Sequence, residues 1–274
     1  MLLASLSLVR RLFYKLFLIF HCLFALTAVV ALYKHLEYTR SKASVFPGVA
    51  LLLWGSNTIM RMIKMAYHNI GGSRDDKNDQ AAITHYFHTL PIDGVSAIRM
   101  EIKPRHPLKI QPGQYFYLFL SDLGTHRLFE AYPFVILWWD DSLNAMNLSF
   151  LIQPEYGITR DLIAKNSVRS VIIDGPYRKN LHLEDYETVI LVAKGIGITG
   201  ILLYIRHMTY RRLSTEKNHT TYRRDLITNK IDVYWVLEDN CQEDWISDWI
   251  VELEKTDSKN VSIFPSYITP ANTK

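Results

Sequence analysis

The sequence predicts a multi-domain membrane protein in three parts: an α-helical transmembrane hairpin, a small antiparallel β-barrel or sandwich, and a parallel α/β unit. Three observations carry this. Two apolar segments lie within the first 65 residues, a series of short alternating strands fills the middle, and an apolar strand, a glycine turn and a helix follow after Tyr186. The three parts are bounded as residues 1–70, 80–184 and 185–274.

The first apolar segment, Leu12 to Tyr33, is long enough to span a bilayer and is flanked by Lys15 and Lys34. Arg10 and Arg11 precede a run longer than the apolar core of a signal peptide, and no small-residue cleavage site follows, so the segment reads as an anchor. A polar stretch, EYTRSKAS, leads to a second apolar segment, Val45 to Met60, interrupted by Gly48, Gly55, Ser56, Asn57 and Thr58. Arg10, Arg11, Lys15, Arg61 and Lys64 gather at one end of this hairpin, against Lys34, Arg40 and Lys42 at the other. That bias puts both hairpin ends, and everything after residue 65, in the cytosol.

His21 and His35 share the first segment. Fourteen helical steps return His35 to within about 40° of His21 and place it about 21 Å along the axis. Two imidazoles on one stripe at two depths can each be an axial ligand of a haem iron, or can sit at the lipid interface; the spacing leaves both open.

Gly71 to Gln80, GGSRDDKNDQ, reads as a linker. Beyond it come VSAIRMEI, QYFYLFL, PFVILWW, NLSFLIQ and SVIIDG, separated by Pro-, Gly- and Asp-rich breaks. Tyr132, Pro133 and Phe134 open one of these strands and Gln114 and Tyr115 another, either to pack the barrel or to offer a stacking face to a flavin ring. In EYGITRDL, Gly157 and Thr159 precede a short helix, where they either cap it or meet a pyrophosphate.

After Tyr186 the strand YETVILVA is continuously apolar. It runs into KGIGITG and then the helical ILLYIRHMTYRRL. A strand, IDVYWVL, and a helix with Trp245, Trp249 and Leu253 at four-residue spacing complete the unit. The turn Gly195-Ile196-Gly197 stands where backbone N–H groups and the positive end of a helix meet phosphate, although a plain strand-to-helix turn has the same form.

Several function classes are disfavoured. The net charge of +4 comes without a basic stripe interleaved with aromatics, so nucleic-acid binding is not expected. Two cysteines, Cys22 and Cys241, make neither a disulfide framework nor a cysteine metal site.

Taken in order, His-x13-His, a second span, PGQY, YPF, GxT, GPY and GIGIT resemble the transmembrane ferric-chelate reductase and NADPH oxidase superfamily. LFYKLFLIFH, PFVILWWDD, KGIGITGILLYI and VYWVLEDNCQEDWISDWI are most similar to fungal ferric reductases. The resemblance spans nearly the whole chain. It implies a FAD-binding β-barrel domain at 80–184, a ferredoxin-reductase-like NAD(P)-binding α/β domain at 185–274, and part of a haem domain at 1–70. It further implies that NADPH or NADH passes hydride to FAD, and that electrons cross the membrane singly through haem b to ferric or cupric chelates or siderophores, in reductive iron uptake at the plasma membrane. A superoxide-forming NADPH oxidase, a truncated non-catalytic flavoprotein fragment, and a flavin reductase with a simple anchor are the alternatives.

By the same resemblance His21 holds the inner haem and His35 the outer. Tyr132, Pro133, Phe134 and Val135 contact the flavin, Gly157 and Thr159 its pyrophosphate, and Gly195, Ile196, Gly197 and Thr199 line NAD(P)H. The chain departs from the family pattern in five places. Val135 replaces a hydroxyl residue, Arg178 replaces the last glycine of GPYG, and Lys194 replaces a glycine or serine. The two further haem histidines and the C-terminal cysteine segment are not matched, and Cys241 does not correspond to that segment. The expectation is a truncated product that takes its missing haem ligands from another chain.

Overall fold

The computed structural model describes residues 14–39, 42–70, 81–89, 94–120, 131–140, 145–154, 158–164, 167–168, 171–178, 181–217, 228–256 and 261–267. The chain forms two compact units, residues 1–63 and 64–274. The linker expected at 71–80 lies outside the described residues.

In the first unit, helix α1 (Tyr14–Tyr38) spreads its apolar residues around all sides rather than along one stripe. Helix α2 (Val45–Asn69) begins with Pro47 in its first turn, where a missing N–H does no harm. The helices touch at Gly48, whose absent side chain would stand 3.3 Å from the Tyr33 ring. Helix α2 continues nine residues past the expected end at Met60. Among the described residues, Lys42–Asn69 is the one helix counted long and apolar enough to cross a membrane.

The second unit opens with a seven-stranded antiparallel sheet built from β1 (Ala81–Thr89), β2 (Gly94–Ile102), β3 (Tyr115–Leu120), β4 (Ala131–Trp139), β5 (Leu148–Ile152), β6 (Ser167–Val168) and β7 (Val171–Tyr177). Their order is β6-β1-β2-β5-β4-β3-β7. No pairing joins β6 to β7 among the described residues, so the antiparallel sheet is present but closure into a barrel is not observed. Alternation divides the strand residues between two cores. Ile98, Ile136 and Phe150 fill the β-domain's own interior, whereas Ala97, Leu137 and Leu151 face the α/β layer. Strand β5, covered on both sides, is buried at all five positions.

The α/β layer follows a single-turn helix at Leu183–Asp185. It comprises β8 (Thr188–Lys194), α4 (Ile198–Lys217), β9 (Lys230–Leu237), α5 (Ser247–Thr256) and β10 (Val261–Tyr267), with the short α3 (Ile158–Asp161) lying earlier in the β-domain. All three strands are parallel, in the order β10-β9-β8. Strand β8 is apolar along its length, and its burial alternates: Val189, Leu191 and Ala193 join the core shared with α4, while Ile190 and Val192 are exposed.

Candidate functional site

The glycine turn occupies the carboxyl edge of the parallel sheet, the edge at which ligands enter open α/β folds. Gly195 ends β8 with φ +49, a conformation glycine adopts without penalty. Its carbonyl accepts a 2.9 Å hydrogen bond from the buried Trp235 Nε1, which fixes the turn to β9. Gly197 has nothing within 4 Å of where a Cβ would stand, leaving its backbone open to a close-lying ligand. Helix α4 then begins at Ile198, so its N-terminal amides are presented at this opening. Thr199 is 7% exposed and its hydroxyl donates to the Ile196 carbonyl at 2.9 Å. It braces the turn.

Two further residues complete this corner. Glu238, directly after β9, pairs with Lys194 at 2.9 Å, and its carboxylate would lie 2.6 Å from a Cβ at Gly195. Gln242 holds that segment by accepting from the Glu238 backbone N–H at 2.9 Å. The pairing of Lys194 with Glu238 is a fact of tertiary structure, and their positions 44 residues apart in sequence give no signal of it.

The predicted flavin residues lie along the first half of β4, and the strand divides them. Phe134 opposes Phe116 and Tyr132 opposes Leu118, so these two pack against the β-domain core. Pro133 and Val135 oppose Tyr117 and Tyr115 on the opposite face. There Tyr115, Tyr117 and Tyr177 form a cluster with ring centroids 5.6–5.7 Å apart, and the Tyr177 hydroxyl donates to buried Asp174 at 2.6 Å. These rings border an exposed Pro133 with aromatic faces and phenolic oxygens.

The neighbouring motifs are fixed by packing. In PGQY, Gly113 has φ +74 and a Cβ there would run into the Tyr204 hydroxyl of α4. Burial raises the pKa of that phenol. In GPY, a Cβ on Gly175 would meet the Phe116 ring at 2.7 Å. Arg178, where the family has glycine, holds φ +79.

Of the other predicted residues, His21 and His35 both stand on α1 and are exposed. Thr159 lies in the one-turn helix α3. Gly157 is outside the described residues. Among the described residues no three His, Cys, Asp or Glu side chains gather in a metal-holding group. A separate cleft of about 330 Å³ opens between β1–β2 and the segment before α5, lined by His85, His88, Arg99, Cys241, Asp244 and Asp248. None of the predicted site residues lines it.

Residues 186–274 match the family described as Ferric reductase NAD binding domain. The chain is 25% identical over 204 residues to the Saccharomyces cerevisiae ferric/cupric reductase transmembrane component 2, covering 72% of this chain and 26% of the relative. It is 28% identical over 179 residues to a superoxide-generating NADPH oxidase heavy chain of Dictyostelium discoideum, covering 60% and 33%. The Plasmodium falciparum ferredoxin-NADP+ reductase structure superposes with a TM-score of 0.48 at 16% identity, covering 76% of both chains. The chain is a homologue of ferric reductases and NADPH oxidases, and it spans about a quarter to a third of the length of the two curated relatives.

Proposed function

We propose that this ferric-reductase homologue takes part in moving electrons from NAD(P)H through FAD to haem, and on to ferric or cupric chelates across a membrane. The observation that carries the reading is the Gly195–Gly197 turn. It opens the 20-residue α4 at the carboxyl edge of a parallel sheet, directly after an antiparallel β-domain. The family match over 186–274 and the yeast relative support the same reading.

The residues fit the groups they would hold. The open backbone at Gly197 and the N-terminus of α4 suit a dinucleotide pyrophosphate, with Trp235 keeping the turn in place. Pro133, Val135 and the tyrosines beside them suit the face of a flavin ring, although Val135 offers no hydroxyl. His21 and His35 would each offer one imidazole donor to a haem. When bound, the flavin supplies the change from two-electron to one-electron transfer. The protein's part is to present the nucleotide at α4 and the flavin at β4, and to hold both in one frame. In this reading residues 80–274 are cytosolic, below a plasma-membrane hairpin at 1–70.

The Dictyostelium relative supports a second reading, with oxygen as acceptor and superoxide as product. The test is an absorption spectrum of the chain purified from membranes in mild detergent, followed on adding NADH or NADPH. A flavin band that bleaches with nucleotide is expected; ferrozine trapping of reduced iron against superoxide detection then separates the two acceptors. Absence of a flavin band after reconstitution with FAD would sink both readings and leave a non-catalytic membrane protein.

A further inference from the structure

Helix α4, which the glycine turn opens, returns to the flavin strand farther along its length. Arg206 is 9% exposed, and its guanidinium carbon lies 4.3 Å from the Trp138 ring centroid, 4.6 Å from Trp139 and 5.4 Å from Tyr210. Trp138 is stacked on Trp249 of α5 at 5.5 Å and 24°. Trp249 in turn lies 4.1 Å from the guanidinium of Arg99, which reaches Phe87 at 5.3 Å. Phe87, Arg99, Trp249, Trp138, Arg206 and Tyr210 thus form one ladder that passes from the β-domain to α5, back to β4, and on to α4. Tyr210 anchors its end by donating to Glu252 of α5 at 2.6 Å.

Stability does not call for an arginine here. Burying a cation is costly, Arg206 Nη1 has no hydrogen-bond partner among the described residues, and an apolar side chain of similar volume generally fills such a place equally well. A cation held over ring faces adds direction: the attraction acts only over the face of each ring, so it fixes how the helix carrying it approaches. The two elements it joins are the two that matter. Strand β4 carries Tyr132–Val135 at one end and Trp138–Trp139 at the other; α4 follows Gly195–Gly197, has Thr199 in its first turn, and carries Arg206 seven residues, about 10 Å, beyond Thr199.

We infer that Arg206 is a positioning residue that sets the nucleotide helix against the flavin strand, so that the hydride-donating carbon and the accepting flavin nitrogen would meet. The inference rests on the electron-transfer reading above. An error of about 1 Å between reacting atoms slows transfer by on the order of 100-fold, with binding unaffected.

The test compares Arg206→Met and Arg206→Lys in the full chain loaded with FAD. Flavin reduction is followed by rapid mixing at rising NADH and NADPH concentrations. The Met variant is expected to bind FAD and nucleotide normally yet to reduce flavin on the order of 100-fold slower at saturation, and the Lys variant to recover most of the rate. Near-ultraviolet circular dichroism of the cofactor-free protein reads the Trp138–Trp249 stack directly: its signal should fall in the Met variant, with the far-ultraviolet spectrum and Tm unchanged, and persist in the Lys variant. An unchanged saturating rate in the Met variant, or equal impairment of both variants, overturns the inference. If the wild type shows no nucleotide-driven bleaching, the electron-transfer reading fails, and the dichroism alone then decides whether the cation orients the stack. Should Arg206→Met not fold, Trp138→Phe removes the same contact from the other side and is expected to show the same split between rate and binding.

Discussion

Gly113 and Gly195 make an instructive pair. Both have positive φ, both sit in turns at the end of a strand or before one, and at both a Cβ would collide with a side chain from across the structure. At Gly113 the obstacle is Tyr204, which is 4% exposed and held in the core between the two layers. At Gly195 it is the carboxylate of Glu238, whose side chain is 46% exposed, pairs with the exposed Lys194 and is able to move aside. The first glycine therefore serves docking, while the second faces a side chain that can yield. The two turns look alike in sequence, and only the neighbour separates them.

Alanine at each position breaks the comparison most strongly. Gly113→Ala meets the left-handed penalty of about 1–2 kcal/mol, and overpacking against Tyr204 adds about 1–3 kcal/mol. A loss of about 3 kcal/mol in denaturant unfolding is expected. Gly195→Ala carries the backbone penalty alone, about 1–2 kcal/mol, because Glu238 yields. Equal losses at the two sites would show that Glu238 is as fixed as Tyr204.

Replacing Glu238 by Gln sharpens the functional half of the contrast. The carboxylate stands over Gly195 and ties up Lys194, and both effects oppose an anionic nucleotide. Glu238→Gln removes one negative charge and frees Lys194, so nucleotide should bind about threefold to tenfold tighter, the weight of an exposed ion pair. Titration calorimetry with NADH and NADPH measures it, and the gain should shrink at high salt. Unchanged or weaker binding would place the phosphates elsewhere.

The same distinction explains what the sequence made legible. The glycine turn was readable because an apolar strand, two glycines and a helical run are contiguous, so the site's backbone is written locally. The YPFV motif was readable as a motif, but alternation along β4 sends Tyr132 and Phe134 to one face and Pro133 and Val135 to the other. Strand β1 was missed because AAITHYFHT spaces its apolar residues irregularly behind a polar stretch; the register shifts at Ile83/His85 and Phe87/His88 are the structural counterpart. Strand β10 was missed because Pro265 breaks its pattern; among the described residues it lies at the edge of its sheet, where a proline is tolerated. Trp235 and Tyr204 could not be assigned their roles in advance, since their partners are 40 and 91 residues away.

Arg178 supplies the smallest effect and the most local one. It follows the GPY motif at φ +79, is exposed, and stands where the resembling family has glycine. An arginine in this conformation carries a backbone cost of about 1–2 kcal/mol. Glycine removes that cost but adds freedom to the unfolded chain, worth about 0.5–1 kcal/mol against it. The balance predicts that Arg178→Gly raises stability by about 0.5–1 kcal/mol, measured as a higher denaturant midpoint at unchanged slope. A loss of stability would mean that the guanidinium makes up the difference through an interaction of its own. The motif would then be one of charge, and glycine elsewhere in the family would mark a different solution to the same turn.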